Sequence, residues 1–147
     1  MYLLDTNHCS RLIQGHPTII QRLGELGDQP VATCVIVRGE LRFMAHHSQQ
    51  QAANLQLIDD FLADIYIFTI DNAVADTYGQ LKAELLKHFG PKEKAQLRKA
   101  KIEHFGIGDN DLWIAAIAKC YDLTVVSTDS DFERIQEATE LQLESWL

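Results

Sequence analysis

Carboxylates stand beside the apolar runs of this 147-residue chain, at one end or the other. Asp5 closes "YLL", Glu40 follows the run "VATCVIV" at 31–37, Asp111 opens "DLWIAAIAKC", and Asp129 follows "LTVVST", with Asp131 two residues later. Each has an ordinary explanation when taken singly. Asp5 can cap a helix that starts at Thr6. Glu40 can be a solvated helix residue near Arg42. Asp109 and Asp111 fall at a helix start, where the dipole favours a carboxylate by about 0.3–1 kcal/mol, and Asp109 would be the cap. Ser130 and Glu133 fit an S-x-x-E capping box, which leaves Asp131 as a first-turn acid. These explanations do not account for the recurrence of acids at element ends. Four carboxylates brought into one cleft would repel one another and raise one another's pKa. Divalent cations would relieve that repulsion, and hard oxygen ligands suit Mg²⁺ or Mn²⁺.

Whether the acids meet depends on the elements that carry them. "YLLD", "VATCVIV", "IYIFTI" at 65–70 and "LTVVST" read as short buried strands, rich in β-branched residues, and "ELQLESW" as an edge strand. Helical readings fall at Thr6 to Ile13, at Pro17 to Leu26 with proline in the first turn, from Glu40 to about His47, and from Gln50 to Ala63. A long helix follows Asp71 to about Phe89, where Gly90 and Pro91 punctuate it. Pro91 to Ile102 reads as a further helix, "DLWIAAIAKC" as a closely packing one, and "DFERI" as a short one. Strands separated by helices imply βαβ units: an α/β fold whose central, mainly parallel sheet of four to five strands carries helices on both faces. Ligands of such sheets bind outside the carboxyl ends of the strands, where Asp5, Glu40 and Asp129 are expected.

Composition bounds the rest. Apolar residues make up 46% and charged residues 23%, a globular balance that fits one domain. Cys9, Cys34 and Cys120 form no CxxC pair or zinc spacing and read as small buried hydrophobes of a reducing cytosol. No leader pattern and no apolar run of membrane-spanning length is visible, so the expected location is the cytoplasm, without membrane contact. The net charge of −8 argues against a polyanion partner. Its distribution argues otherwise. Lys82, Lys87, Lys92, Lys94, Arg98, Lys99 and Lys101 give residues 82–101 a charge of +5 against −13 elsewhere. Lys87, Lys94, Arg98 and Lys101 fall near one face if this arm is helical, flanked by Phe89 and Phe105. They could contact nucleic-acid phosphates, dock an acidic partner segment, or simply be solvated. His8 reads as structural, and Trp113 and Trp146 as packing residues. No Ser/His/Asp set, Walker loop or GxGxxG occurs.

The ordered set "LLDTN", "VRGEL", "GDNDLWIAAIA", "VVSTDSDF" and "LESW" resembles the PIN-domain ribonucleases, and within them the VapC-like toxins of prokaryotic toxin–antitoxin pairs. The resemblance covers nearly the whole chain. It implies a single PIN-like domain over 1–147, with a basic helical insertion at about 91–104. It also implies a metal-dependent endoribonuclease that hydrolyses RNA phosphodiesters to leave a 3′-hydroxyl and a 5′-phosphate. By motif, the catalytic and metal-binding acids fall on Asp5, Glu40, Asp111 and Asp129, with Asp131 as a fifth contributor. Thr6, Asn7 and Thr128 would support them. The expected cofactor is Mg²⁺ or Mn²⁺, and the expected partners are RNA, a cognate antitoxin and a second copy of the chain. Two features depart from the family pattern: Cys34 stands where many relatives carry serine, and the segment from Pro91 to His104 lengthens the approach to "GIGDND". The competing readings are a non-catalytic PIN-fold binding module and a metal-dependent phosphatase. A phosphatase with an aspartyl nucleophile wants D-x-D, and Asn7 stands at its second position.

Overall fold

Five short segments pair side by side. The computed structural model, which describes residues 1–147, joins β1 (Tyr2–Leu4), β2 (Val31–Cys34), β3 (Tyr66–Phe68), β4 (Thr124–Val126) and β5 (Leu143–Glu144) into one sheet. Its order is β3-β2-β1-β4-β5, and every pairing is parallel. Tyr2 lies opposite Val31 on one side and Thr124 on the other, so β1 is central. That position explains its sequence: Leu3 and Leu4 are both wholly buried, as a strand covered on both faces requires.

The chain winds outward from β1 through β2 to β3, then returns to β4 on the other flank of β1. The connections leaving β1 and β4 therefore diverge, and a crevice opens between them at their carboxyl ends. Asp5 follows β1 and Asp129 follows β4. Right-handed crossovers run in opposite directions on the two flanks, which places helices on both faces.

α1 (Thr6–Ile13), α2 (Pro17–Leu26), α3 (Val35–His46) and α4 (Gln51–Asp64) form one helical group, and α5 (Asn72–Phe89), α7 (Asp109–Cys120) and α8 (Ser130–Ala138) the other. α7 buries Leu112 and the whole run Ile114–Ala118. Its alanines let neighbouring backbones approach closely, so it forms a rigid base for the acids at its start.

Several boundaries differ from the sequence expectation. β2 stops at Cys34, and Val35, Ile36 and Val37 already belong to α3. Their β-branched character favours a strand, but the run must turn away from the sheet at its carboxyl edge, and packing overrides propensity. The helix expected from Pro91 to Ile102 is not continuous. Only α6 (Lys94–Leu97) is helical, followed by a 3₁₀ turn at Ile102–Phe105. Gly90 ends α5 with its N–H bonded to the Leu86 carbonyl at 2.8 Å. A Cβ at Gly90 would collide with that same carbonyl oxygen, and Pro91 cannot continue the helix. Lys87, Lys94, Arg98 and Lys101 therefore sit on α5, on α6, at the end of α6 and ahead of the 3₁₀ turn, and share no helical face.

Candidate active site

Asp5 leaves β1 with extended backbone and becomes the N-cap of α1. Its Oδ1 accepts the His8 backbone N–H at 2.8 Å and lies 2.9 Å from His8 Nδ1. Its Oδ2 accepts the Ser127 hydroxyl. Ser127 Oγ in turn accepts the Asp129 N–H at 3.0 Å. One serine thus ties the end of β1 to the start of α8, and Asp5 is only 4% exposed. Glu40, in the second turn of α3, is held in the same manner. Its Oε2 accepts the Thr6 hydroxyl, and its Oε1 accepts Asn110 Nδ2 at 2.9 Å.

The other acids are crowded. Oxygens of Asp111, Asp129 and Asp131 all lie within 4.8 Å of one another. Asp129 caps α8 by accepting the Asp131 N–H at 3.0 Å, in place of the Ser130 capping box. Asp131 reaches back to accept the Gly108 N–H at 2.7 Å. Gly108, and not Asp109, caps α7, and Asp109 instead accepts the Tyr78 hydroxyl. A side chain at Gly108 would stand 3.3 Å from Asp131 Oδ2 and 3.8 Å from Asp111 Oδ2, so this glycine leaves room beside the trio.

No ion pair relieves the trio; Arg42 pairs with Asp59, and Arg22 with Glu25 and Glu144. The Asp111 carboxyl is pushed up to about 8, first by burial, then by its hydrogen bond with Asp131 and the charges of Asp129, Asp131 and Glu40. Asp129 is pulled down most by the Asp131 N–H it accepts, yet burial and the charges of Asp131 and Asp5 hold it above its ordinary value. Three hard oxygen donors that repel one another, with no basic residue among them, fit a divalent cation. The flank beside Glu40 is open: a cleft of about 480 Å³ is lined by Val35, Ile36, Gly39, Phe43 and Asn110. The roomier hollow of about 770 Å³ lies around Lys119 and Asp122, at the other end of β4, and contains none of the acids.

The five acids expected from sequence therefore fall into two sets, a close trio that includes Asp131 and a flanking pair, Asp5 and Glu40. Of the supporting residues, Thr6 contacts Glu40, while Asn7 and Thr128 are exposed and bond to none of the acids. The buried hydroxyl is that of Ser127. Ser127, Asn110 and the Asp5 contact of His8 escaped the sequence reading. His8 alone carried a local signal, since the third residue after a cap is where partners reach back. Cys34 is buried, and burial raises its thiol to about 11; Cys9, wholly buried, is raised further. Neither is a nucleophile.

The sequence profile of the PIN domain matches residues 2–138. "Ribonuclease VapC2" of Haemophilus influenzae is 30% identical over 148 residues, covering 99% of this chain and 98% of that protein. The "tRNA(fMet)-specific endonuclease VapC" of Shigella flexneri is 27% identical over 146 residues, covering 99% of this chain and 97% of that one. Among solved structures, VapBC2 from Rickettsia felis, bound to a DNA fragment from its promoter, superposes with a TM-score of 0.76 at 30% identity. That match covers 99% of this chain and 98% of the other.

Proposed function

The chain belongs to the PIN domain family, and from that premise we propose that it is an endoribonuclease, the toxin of a toxin–antitoxin pair, which hydrolyses RNA with Mg²⁺ or Mn²⁺. The observation that carries this reading is the trio Asp111, Asp129 and Asp131, gathered within 4.8 Å at the crevice between β1 and β4. The trio would hold the cation, with Asp5 and Glu40 flanking it. A bound divalent cation supplies charge stabilisation at phosphoryl oxygens and lowers the pKa of a water. The chain's own residues supply orientation. Ser127 holds Asp5 and the α8 start in one frame. Thr6 and Asn110 hold both oxygens of Glu40. No side chain need form a covalent intermediate, and a water would be the attacking group.

An RNA substrate is supported by the names of the relatives, and transfer RNA by one of them. An antitoxin partner is supported by VapBC-5 from Mycobacterium tuberculosis, a member of the VapBC family of toxin–antitoxin systems, which superposes with a TM-score of 0.57 at 25% identity over 78% of this chain and 79% of that one. A groove of about 250 Å³ between α1, α3 and α4, lined by Ile13, Leu41 and Ala45 with Met44 and Leu57 exposed on its rim, is the kind of apolar surface that a partner chain covers. A second copy of the chain is the other expected partner. No helix is long and apolar enough to cross a membrane.

The test is a titration of Mg²⁺ and Mn²⁺ into wild type and Asp129→Asn, following cleavage of single-stranded RNA and of initiator transfer RNA. Metal-dependent cutting that the substitution removes is the expected result. Cutting of equal rate by the folded variant would overturn the assignment.

A further inference from the structure

His8 is out of place in the core. It is wholly buried, and its ring stands edge-on to Trp146, with centroids 6.5 Å apart and planes at 84°. Nδ1 faces Asp5 Oδ1 at 2.9 Å, so that nitrogen carries the hydrogen. Nε2 is buried and bonds to nothing. Buried polar atoms without partners are rare because they lose their hydration and gain nothing in return. A leucine would fill the same space with no stranded nitrogen. The ring is therefore retained for the one polar contact it makes, with Asp5.

Helix capping does not need that contact. The His8 backbone N–H already gives Oδ1 an ordinary cap bond at 2.8 Å. The cap bond on Oδ1 and the Ser127 hydroxyl on Oδ2 each hold one oxygen of the carboxylate, and the imidazole adds a second donor on Oδ1. Three of its roughly four lone-pair directions are then occupied, and the one left lies on Oδ2. We propose that His8 is a positioning residue of the metal site, which aims the single free lone pair of Asp5 at the cation and its waters. The proposal rests on the metal-dependent reading given above.

The experiment is calorimetric titration of Mn²⁺ into metal-free protein without RNA, so that it reads binding and not turnover. Wild type is compared with His8→Leu, His8→Asn and His8→Gln, with melting temperatures recorded for each. The asparagine amide can donate from near the Nδ1 position, whereas the glutamine amide reaches toward that of Nε2. We expect about 10- to 100-fold weaker Mn²⁺ binding in the leucine and glutamine variants, the usual effect of losing a partner behind a metal ligand. The asparagine variant is expected to return most of the affinity. Equal affinity across the folded variants would overturn the proposal. Should His8→Leu fail to fold, the asparagine and glutamine pair decides by the same criterion. Absence of any Mn²⁺ binding by wild type would overturn the metal reading and this proposal with it.

Discussion

The two halves of the acidic site hold their carboxylates in opposite ways. Asp5 and Glu40 are each met by donors on both oxygens, from His8 and Ser127 and from Thr6 and Asn110. Asp111, Asp129 and Asp131 press on one another, and Asp111 rises to about 8, first through its burial and then through these neighbours. The first set is satisfied by the protein alone, and losing it should weaken the fold. The second is left short of positive charge; Asp129 and Asp131 also accept backbone N–H groups, so the loss of Asp111 is the one that should weaken function without weakening the fold. A site that binds a cation needs both, a preorganised frame and an uncompensated charge.

Predictions that separate the halves follow from this contrast, beginning with the largest effect. Asp111→Asn should lower metal-dependent cleavage by more than about a hundredfold, beyond what an outer partner of a ligand costs. It should also raise the melting temperature of the metal-free protein at pH 8, because a repelling charge is gone. A fall in both would break the contrast. Asp5→Ala should act in the opposite direction on stability. It loses a cap and strands the His8 and Ser127 donors, a cost of about 2–4 kcal/mol in urea unfolding. Cleavage should be lost as well, in a protein that still folds.

The pH dependence of the metal-free protein is the next test. The folded pKa of Asp111 lies above its unfolded value, so between about pH 4 and 8 the folded state binds the extra proton. Its contribution to stability is therefore greatest at low pH and falls as pH rises through that window. Saturating Mn²⁺ should flatten the fall. Thermal melts at several pH values, with and without metal, would show it, and Asp111→Asn should remove it.

The smallest effect concerns the basic arm, where Lys94 and Arg98 lie on and just after the short α6. Reversing both charges should lower the salt slope of RNA binding by about 1–2. An unchanged slope would remove the arm from the RNA surface.

Much of this was legible in the chain. Apolar runs marked the first four strands, "ELQLESW" was read as an edge strand, and the placement of acids after the runs pointed to a carboxyl-edge site. Boundaries were less legible. Val35 to Val37 look like strand and fold as helix, because the sheet edge and not the side chains ends β2. The basic arm was overextended as a helix, for only Lys94–Leu97 is helical and a 3₁₀ turn follows at Ile102–Phe105.

By itself the sequence determined which residue types carry the chemistry and near which element ends they lie, because periodicity and motif order are local properties. Only the tertiary structure decided the partners. Ser127 and Thr128 are adjacent, and the chain does not reveal which hydroxyl is buried. The fold does so by pairing Leu4 with Val126, which brings Ser127 to Asp5 across 122 residues. Asn110 reaches Glu40 across 70. Contacts at such separations leave no local pattern, since they arise from strand order and register.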